Sequence, residues 1–100
     1  TAIGWGWALL LTELAPDRAE ELLARGRAFG ESRNVCNVHW YSDIVAGRLV
    51  GAAAVAKLHA NEEFLTAMDA ARADIDRARQ EDLSPKQDCA AETAALATMR

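Results

Sequence analysis

The 100-residue sequence has little of what builds a sheet, a cross-linked scaffold or a nucleic-acid surface. Two cysteines allow at most one internal disulfide, so cross-links do not make the framework. Two prolines and six glycines are too few for a collagen-like or low-complexity chain. No stretch alternates apolar and polar residues for the length of a strand. No cluster of Lys and Arg stands out from a net charge of −4, which argues against a nucleic-acid footprint. The apolar run from Ala2 to Leu11 is too short to span a bilayer and contains Gly4 and Gly6. The His, Cys, Asp and Glu residues show no metal-binding spacing, since Cys36 and His39 alone are too few. Glycines 4, 6, 26 and 30 do not form a phosphate-cradling motif.

What remains reads as helix throughout. Half of the sequence is hydrophobic, which excludes a disordered tail, and its length allows one domain at most. Thr1 to Leu14 reads as a first helix, apolar nearly all round and therefore of a buried type. Trp5 and Trp7, two apart, point to different faces. Pro16 opens a second helix with Leu22, Leu23 and Phe29 on one face, ending near Gly30. Residues 33 to 40 form a loop. A third helix spans Ser42 to Leu58, with Ser42 or Asp43 as its cap and Arg48 as its only charge between Ile44 and Ala56. It reads as the central helix of a bundle. Asn61 caps a fourth helix, and Ser84-Pro85 starts a last short one through Ala97. The expected fold class is all-α. Two buried-type helices in so short a chain also imply a large bare apolar surface unless something else covers them.

Chemistry concentrates between Ser32 and Asp43. Ser32-Arg33 is followed by five residues and His39, then three residues and Asp43. With His39 and Asp43 one helical turn apart, the carboxylate accepts the proton of one imidazole nitrogen. The other nitrogen is left as a nucleophile or base. Arg33 offers a planar fork of donors suited to phosphate or carboxylate. A His–Asp pair at this spacing also arises by chance on helix surfaces and is then worth little, so the whole string carries the reading.

That string, SRNVCNVHWYSD, with AGRLVGAA after it and TAIGWGWALLLTELAPDR before it, resembles the last signature of the bacterial class A non-specific acid phosphatases. These belong to the superfamily of type 2 phosphatidic acid phosphatases and vanadium haloperoxidases. The resemblance covers roughly residues 1 to 75, and residues 76 to 100 match nothing recognised. It implies that residues 1–75 are the C-terminal part of a helical-bundle phosphatase domain, with 76–100 a charged helix end plus a short helix or tail. It implies hydrolysis of small phosphomonoesters without a cofactor or metal, in the periplasm or outside the cell. His39 would be the nucleophile forming a phosphohistidine, Asp43 its orienter, and Arg33 and Ser32 phosphate-binding; vanadate can fill the same place. The family's two other signatures, Lys-six residues-Arg-Pro and Pro-Ser-Gly-His, are absent. The expected partner is therefore an N-terminal segment of the same enzyme as a second chain, with a homodimer of the assembled enzyme as a further expectation. A non-catalytic helical interaction fragment and a vanadate-dependent haloperoxidase are the competing readings.

Several residues carry alternatives. Cys36 and Cys89 form a bridge pinning the tail beside the loop, stay as separate thiols, or bond elsewhere. His59, at the end of the third helix, reads as a cation on the carbonyl end of the dipole, not as part of a site with His39. Thr1 as an N-terminal nucleophile would need a sheet-rich sandwich, which nothing here supports. Asn37 stands where the family usually has Gly, and it tolerates positive φ next best. Tyr41 stands where Gln is common, and Trp40 reads first as a packing residue.

Overall fold

The computed structural model describes residues 1–98. Its elements are α1 (Ala2–Leu14), a 3-10 turn at Pro16–Arg18, α2 (Ala19–Val35), α3 (Tyr41–Leu58), α4 (Glu62–Gln80) and α5 (Cys89–Ala97). No strand occurs among the described residues, so the all-α expectation holds. Met99 and Arg100, the end of the 76–100 segment, lie outside the described residues.

Pro16 sits in the first turn of its 3-10 segment, where a missing N–H costs nothing. The chain thereby turns from α1 into α2. Residues four apart share a helix face, and α1 uses two such faces. Gly4 and Ala8 meet α2: a Cβ at Gly4 would lie 2.5 Å from the Phe29 ring, and one at Gly26 would collide with the Ala8 methyl. Ala2 and Gly6 meet α3, where a Cβ at Gly51 would lie 2.6 Å from the carbonyl oxygen of Ala2. At Gly26 and Gly51 the helices approach so closely that only glycine fits. The expected stop near Gly30 is corrected here, because α2 runs on to Val35. A mid-helix glycine costs about 1 kcal/mol relative to alanine, and the close approach to α1 and α3 compensates for it.

The Asn61 cap is present, its side-chain oxygen accepting from the Phe64 N–H at 2.9 Å. α4 carries the buried Met68 and ties back to the first corner through Arg79 and Asp17 at 3.0 Å. The Arg79 guanidinium holds the Asp17 carboxyl below the ordinary carboxylate range. α5 begins at Cys89 and not at Ser84-Pro85; Asp88 caps it by accepting from the Ala91 N–H at 3.0 Å. It lies along α2, fastened by Glu92 to Arg25.

That position answers the cysteine question. Cys89 shares a hollow with Ala15, Arg18 and Leu22 at the start of α2, whereas Cys36 follows its end. The hollow reaches to Arg25, and at about 1.5 Å per residue the rest of α2 still keeps them roughly 15 Å or more apart. A bridge needs Cα atoms within about 7 Å. Both thiols are free and exposed, so the Cys36–Cys89 disulfide is not formed.

The whole is a slab, 40 × 36 × 18 Å in its Cα extents. With helices about 10 Å across, so thin a body has almost no interior. Ala8, Ala28, Ile44 and Met68 are buried, while Ile3 (78%), Trp7 (64%) and Leu49 (69%) stand exposed. α1 packs against both α2 and α3 yet leaves Ile3 and Trp7 bare, and α3 leaves Leu49 bare, so the bare apolar surface anticipated from their composition is present. Trp5, unlike Trp7, is half-buried against Gly26, as their spacing requires.

The helix approach gives a controlled prediction. Gly51→Ala should destabilise the fold by about 1–3 kcal/mol, the usual cost of overpacking. Gly6→Ala, whose new Cβ would meet Val55 at an ordinary 3.8 Å, should be neutral or stabilising through helix propensity. Urea denaturation of the two variants, each in complex with the expected N-terminal segment, checks the contrast.

Candidate functional site

The signature is held together by the way α2 ends. Asn37 has φ 58°, the left-handed conformation that asparagine tolerates second to glycine. Around it the chain closes with two reversed bonds: the Asn37 N–H donates to the Asn34 carbonyl at 2.8 Å, and the Val38 N–H to the Arg33 carbonyl at 3.0 Å. This is a Schellman turn with Asn37 in the usual glycine place. The same Arg33 carbonyl accepts a second N–H, that of His39, at 3.1 Å. Asn34 adds a side-chain bond to the His39 carbonyl at 3.3 Å. Five intervening residues are what this turn needs to fold back on Arg33.

Asp43 then organises the start of α3. Its Oδ2 accepts the Trp40 N–H at 2.9 Å, and its own N–H donates to the Trp40 carbonyl at 3.0 Å. The cap position therefore belongs to Trp40, with Asp43 in the first turn, and not to Ser42 or Asp43 as expected. An acid there also suits the positive end of the helix dipole. The same Oδ2 lies 3.4 Å from Nδ1 of His39. His39 precedes the helix, so the pair meets across the cap and not along a regular helical face. With Nδ1 directed at the carboxylate, Nε2 is the nitrogen left over. Both side chains are about half exposed, at 53% and 48%.

On the α2 side, the Ser32 hydroxyl donates to the Phe29 carbonyl at 2.7 Å and accepts from Arg33 Nε at 3.1 Å. Its single proton is thus committed to the backbone, which makes Ser32 a positioner of Arg33. The guanidinium also rests over the Phe29 ring, 5.7 Å from its centroid, a cation–π contact. Nε is occupied, so the two terminal nitrogens are the donors left for an anion. Sequence reasoning did not single out Phe29 or Asn34 for this region. Asn34 lies in the last turn of α2, which was read as loop, and Phe29 was read only as part of the apolar face of the second helix. Trp40 (79%) and Tyr41 are exposed beside His39.

Elsewhere, no group of three His, Cys, Asp or Glu side chains among the described residues is placed to hold a metal ion. No described helix is long and apolar enough to cross a membrane. Cys36 caps the end of α2 without touching His39 or Asp43 through any hydrogen bond among the described residues.

The turn is testable. Asn37→Gly should preserve stability and the site. Asn37→Val places a β-branched residue at positive φ and should cost about 1–2 kcal/mol while displacing His39 from Arg33. Denaturation of the chain in complex with the expected N-terminal segment, and the histidine NMR signals, report the two effects.

Comparison with characterised proteins agrees with the motif. No family model matches the sequence. An acid phosphatase of Zymomonas mobilis is 46% identical over 79 residues, covering 79% of this chain and 30% of that protein. A non-specific acid phosphatase of Providencia stuartii is 50% identical over 64 residues, covering 64% of this chain and 26% of its own length. One from Salmonella typhimurium is 44% identical over 75 residues, or 75% of this chain and 30% of the relative. The chain spans less than a third of the length of these relatives. Its sequence belongs to the non-specific acid phosphatase family, of which it represents one helical part.

Proposed function

We propose that this chain supplies the nucleophile half of a phosphomonoesterase site that works through a phosphohistidine. The observation that carries the reading is His39 with Nδ1 turned to Asp43 Oδ2 at 3.4 Å and its backbone bonded to the Arg33 carbonyl. A carboxylate on one nitrogen fixes the tautomer and raises the nucleophilicity of the other.

In the first transfer, His39 Nε2 attacks phosphorus. An N–P bond forms as the ester P–O bond breaks, and the leaving oxygen takes a proton. Asp43 stabilises the imidazolium that results. The terminal nitrogens of Arg33 neutralise charge on the equatorial oxygens, where a loose phosphoryl-transfer transition state carries it. In the second transfer, water attacks phosphorus and gives its proton to the group that protonated the leaving oxygen, the N–P bond breaks, and inorganic phosphate leaves. Every group in this scheme is a side chain, so no metal or cofactor is required, and phosphate or vanadate would compete for the Arg33 donors. The substrates are small phosphomonoesters, and the setting is the periplasm or the medium, as the family resemblance implies.

The acid that protonates the leaving oxygen is not on this chain. By resemblance it is the histidine of Pro-Ser-Gly-His, which would come from an N-terminal segment of the same enzyme. Two facts support such a segment. The relatives are more than three times as long as the matched stretch. Ile3, Trp7 and Leu49 form exposed apolar surface suited to helix packing.

In the enzyme assembled with that segment, His39→Ala should abolish turnover while the far-UV circular dichroism stays unchanged. Asp43→Asn offers a donor in place of an acceptor and should lower kcat by about 10⁴-fold. Arg33→Lys loses the bidentate fork and should weaken inhibition by phosphate and vanadate. Near wild-type turnover and inhibition in all three would place the anion site elsewhere. The 100-residue chain expressed alone should aggregate or stay molten and show no activity, and co-expression of the complementing segment should restore both. A monodisperse, cooperatively melting monomer would favour an interaction module instead.

A further inference from the structure

His59 is the one imidazole outside the proposed site, and both its nitrogens are engaged. Nδ1 is 2.7 Å from the carbonyl oxygen of Val55, one turn back in α3. Nε2 is 2.7 Å from Oε2 of Glu13, in the last turn of α1 and 46 residues away in sequence. The Phe64 ring, in the first turn of α4, meets the imidazole edge to face at 5.2 Å. Three helices therefore converge on one side chain.

A carbonyl oxygen only accepts, and so does an ionised carboxylate. A neutral imidazole has a single N–H and can satisfy one of them. Both short bonds exist together only when the ring carries two protons and a positive charge. We propose that His59, Glu13 and the Val55 carbonyl form an acid-set latch, which fastens the end of α1 to the end of α3 while the imidazole is charged and releases as it loses its proton.

The charged groups around the ring agree. α1 presents Glu13 to it, and α4 presents the uncharged Phe64. Lys57 on α3 and Glu62 and Glu63 on α4 are exposed neighbours in sequence and make no hydrogen bond or ion pair with the ring. The bond to Val55, and after it the bond to Glu13, hold the His59 pKa above its ordinary value of 6.5. A raised pKa makes the sign definite. The stabilisation is complete below the unfolded value of 6.5 and is lost as pH rises through the higher folded value. The dipole at the end of α3 acts in the same direction. The latch closes the end of the α1–α3 contact that lies opposite Thr1 and Gly47, which meet near the start of α3.

The test needs no activity and so is independent of the phosphatase reading. The 100-residue chain is labelled with ¹⁵N-histidine and assembled with the unlabelled complementing segment, so only His39 and His59 report. Glu13→Gln and His59→Gln variants are compared with it. At pH 5 both His59 nitrogens should be protonated, and its titration midpoint should lie above that of free histidine and fall in Glu13→Gln. The melting temperature difference between wild type and His59→Gln should be largest at pH 5 and shrink toward zero as pH passes the His59 midpoint. A His59 midpoint at or below that of free histidine, unmoved by Glu13→Gln, would overturn the latch. So would a melting temperature difference that does not change with pH.

Discussion

The backbone of α1 occupies the space a side chain would take at Gly51, and the Ala8 methyl occupies the space a Cβ would take at Gly26. These two approaches set α2 and α3 on either side of α1. Because α2 ends where the signature begins and α3 starts where it closes, the spacing of the two helices is also the span the signature loop must bridge. A larger residue at either glycine would push a helix outward, and the loop between Val35 and Tyr41 has few residues with which to absorb the shift.

Within that span, the chemistry is arranged by backbone hydrogen bonds more than by side-chain packing. One carbonyl, that of Arg33, accepts from both Val38 and His39; one carboxylate oxygen, that of Asp43, accepts from Trp40 and faces His39. Each catalytic candidate is thus tied to the local turn that presents it. This is an economical way to place an exposed imidazole and guanidinium at a helix junction with almost no surrounding core. It also explains why the side chains remain half exposed here: the turn orients them, while exclusion of water would have to come from a covering surface. The apolar residues that face outward on α1 and α3 have the character such a surface would pack against.

The spacing of Ser32, Arg33, His39 and Asp43 was legible in the sequence because a signature is a local pattern. The cap at Asn61 and the corner at Pro16 were legible for the same reason. Three features were not. α2 continues past Gly30 because tertiary contact with Thr1 and Ile44 outweighs the poor helix propensity of glycine, which no local window can register. Trp40 at the cap was hidden because its N–H is satisfied by a carboxylate three residues on, so the cap residue needs no polar side chain of its own. The Glu13–His59 pair joins residues 46 apart, and neither stands in a recognisable pattern. His59 stands at the end of α3 as read, yet its carboxylate partner depended on the packing of α1. Ser32 shows the opposite limit. Its position in the signature was plain, but only the structure shows that its proton goes to the Phe29 carbonyl, which makes it a brace for Arg33.

The proposed chemistry requires that His39 Nε2 be the atom that takes the phosphoryl group. The most direct measurement is rapid acid-free quenching of the assembled enzyme during turnover of a ³²P-labelled phosphomonoester, followed by peptide mapping under mildly alkaline conditions. Label that is acid-labile, alkali-stable and confined to the peptide containing His39 is the predicted result. Label on a serine or threonine, or on a peptide without His39, would contradict it.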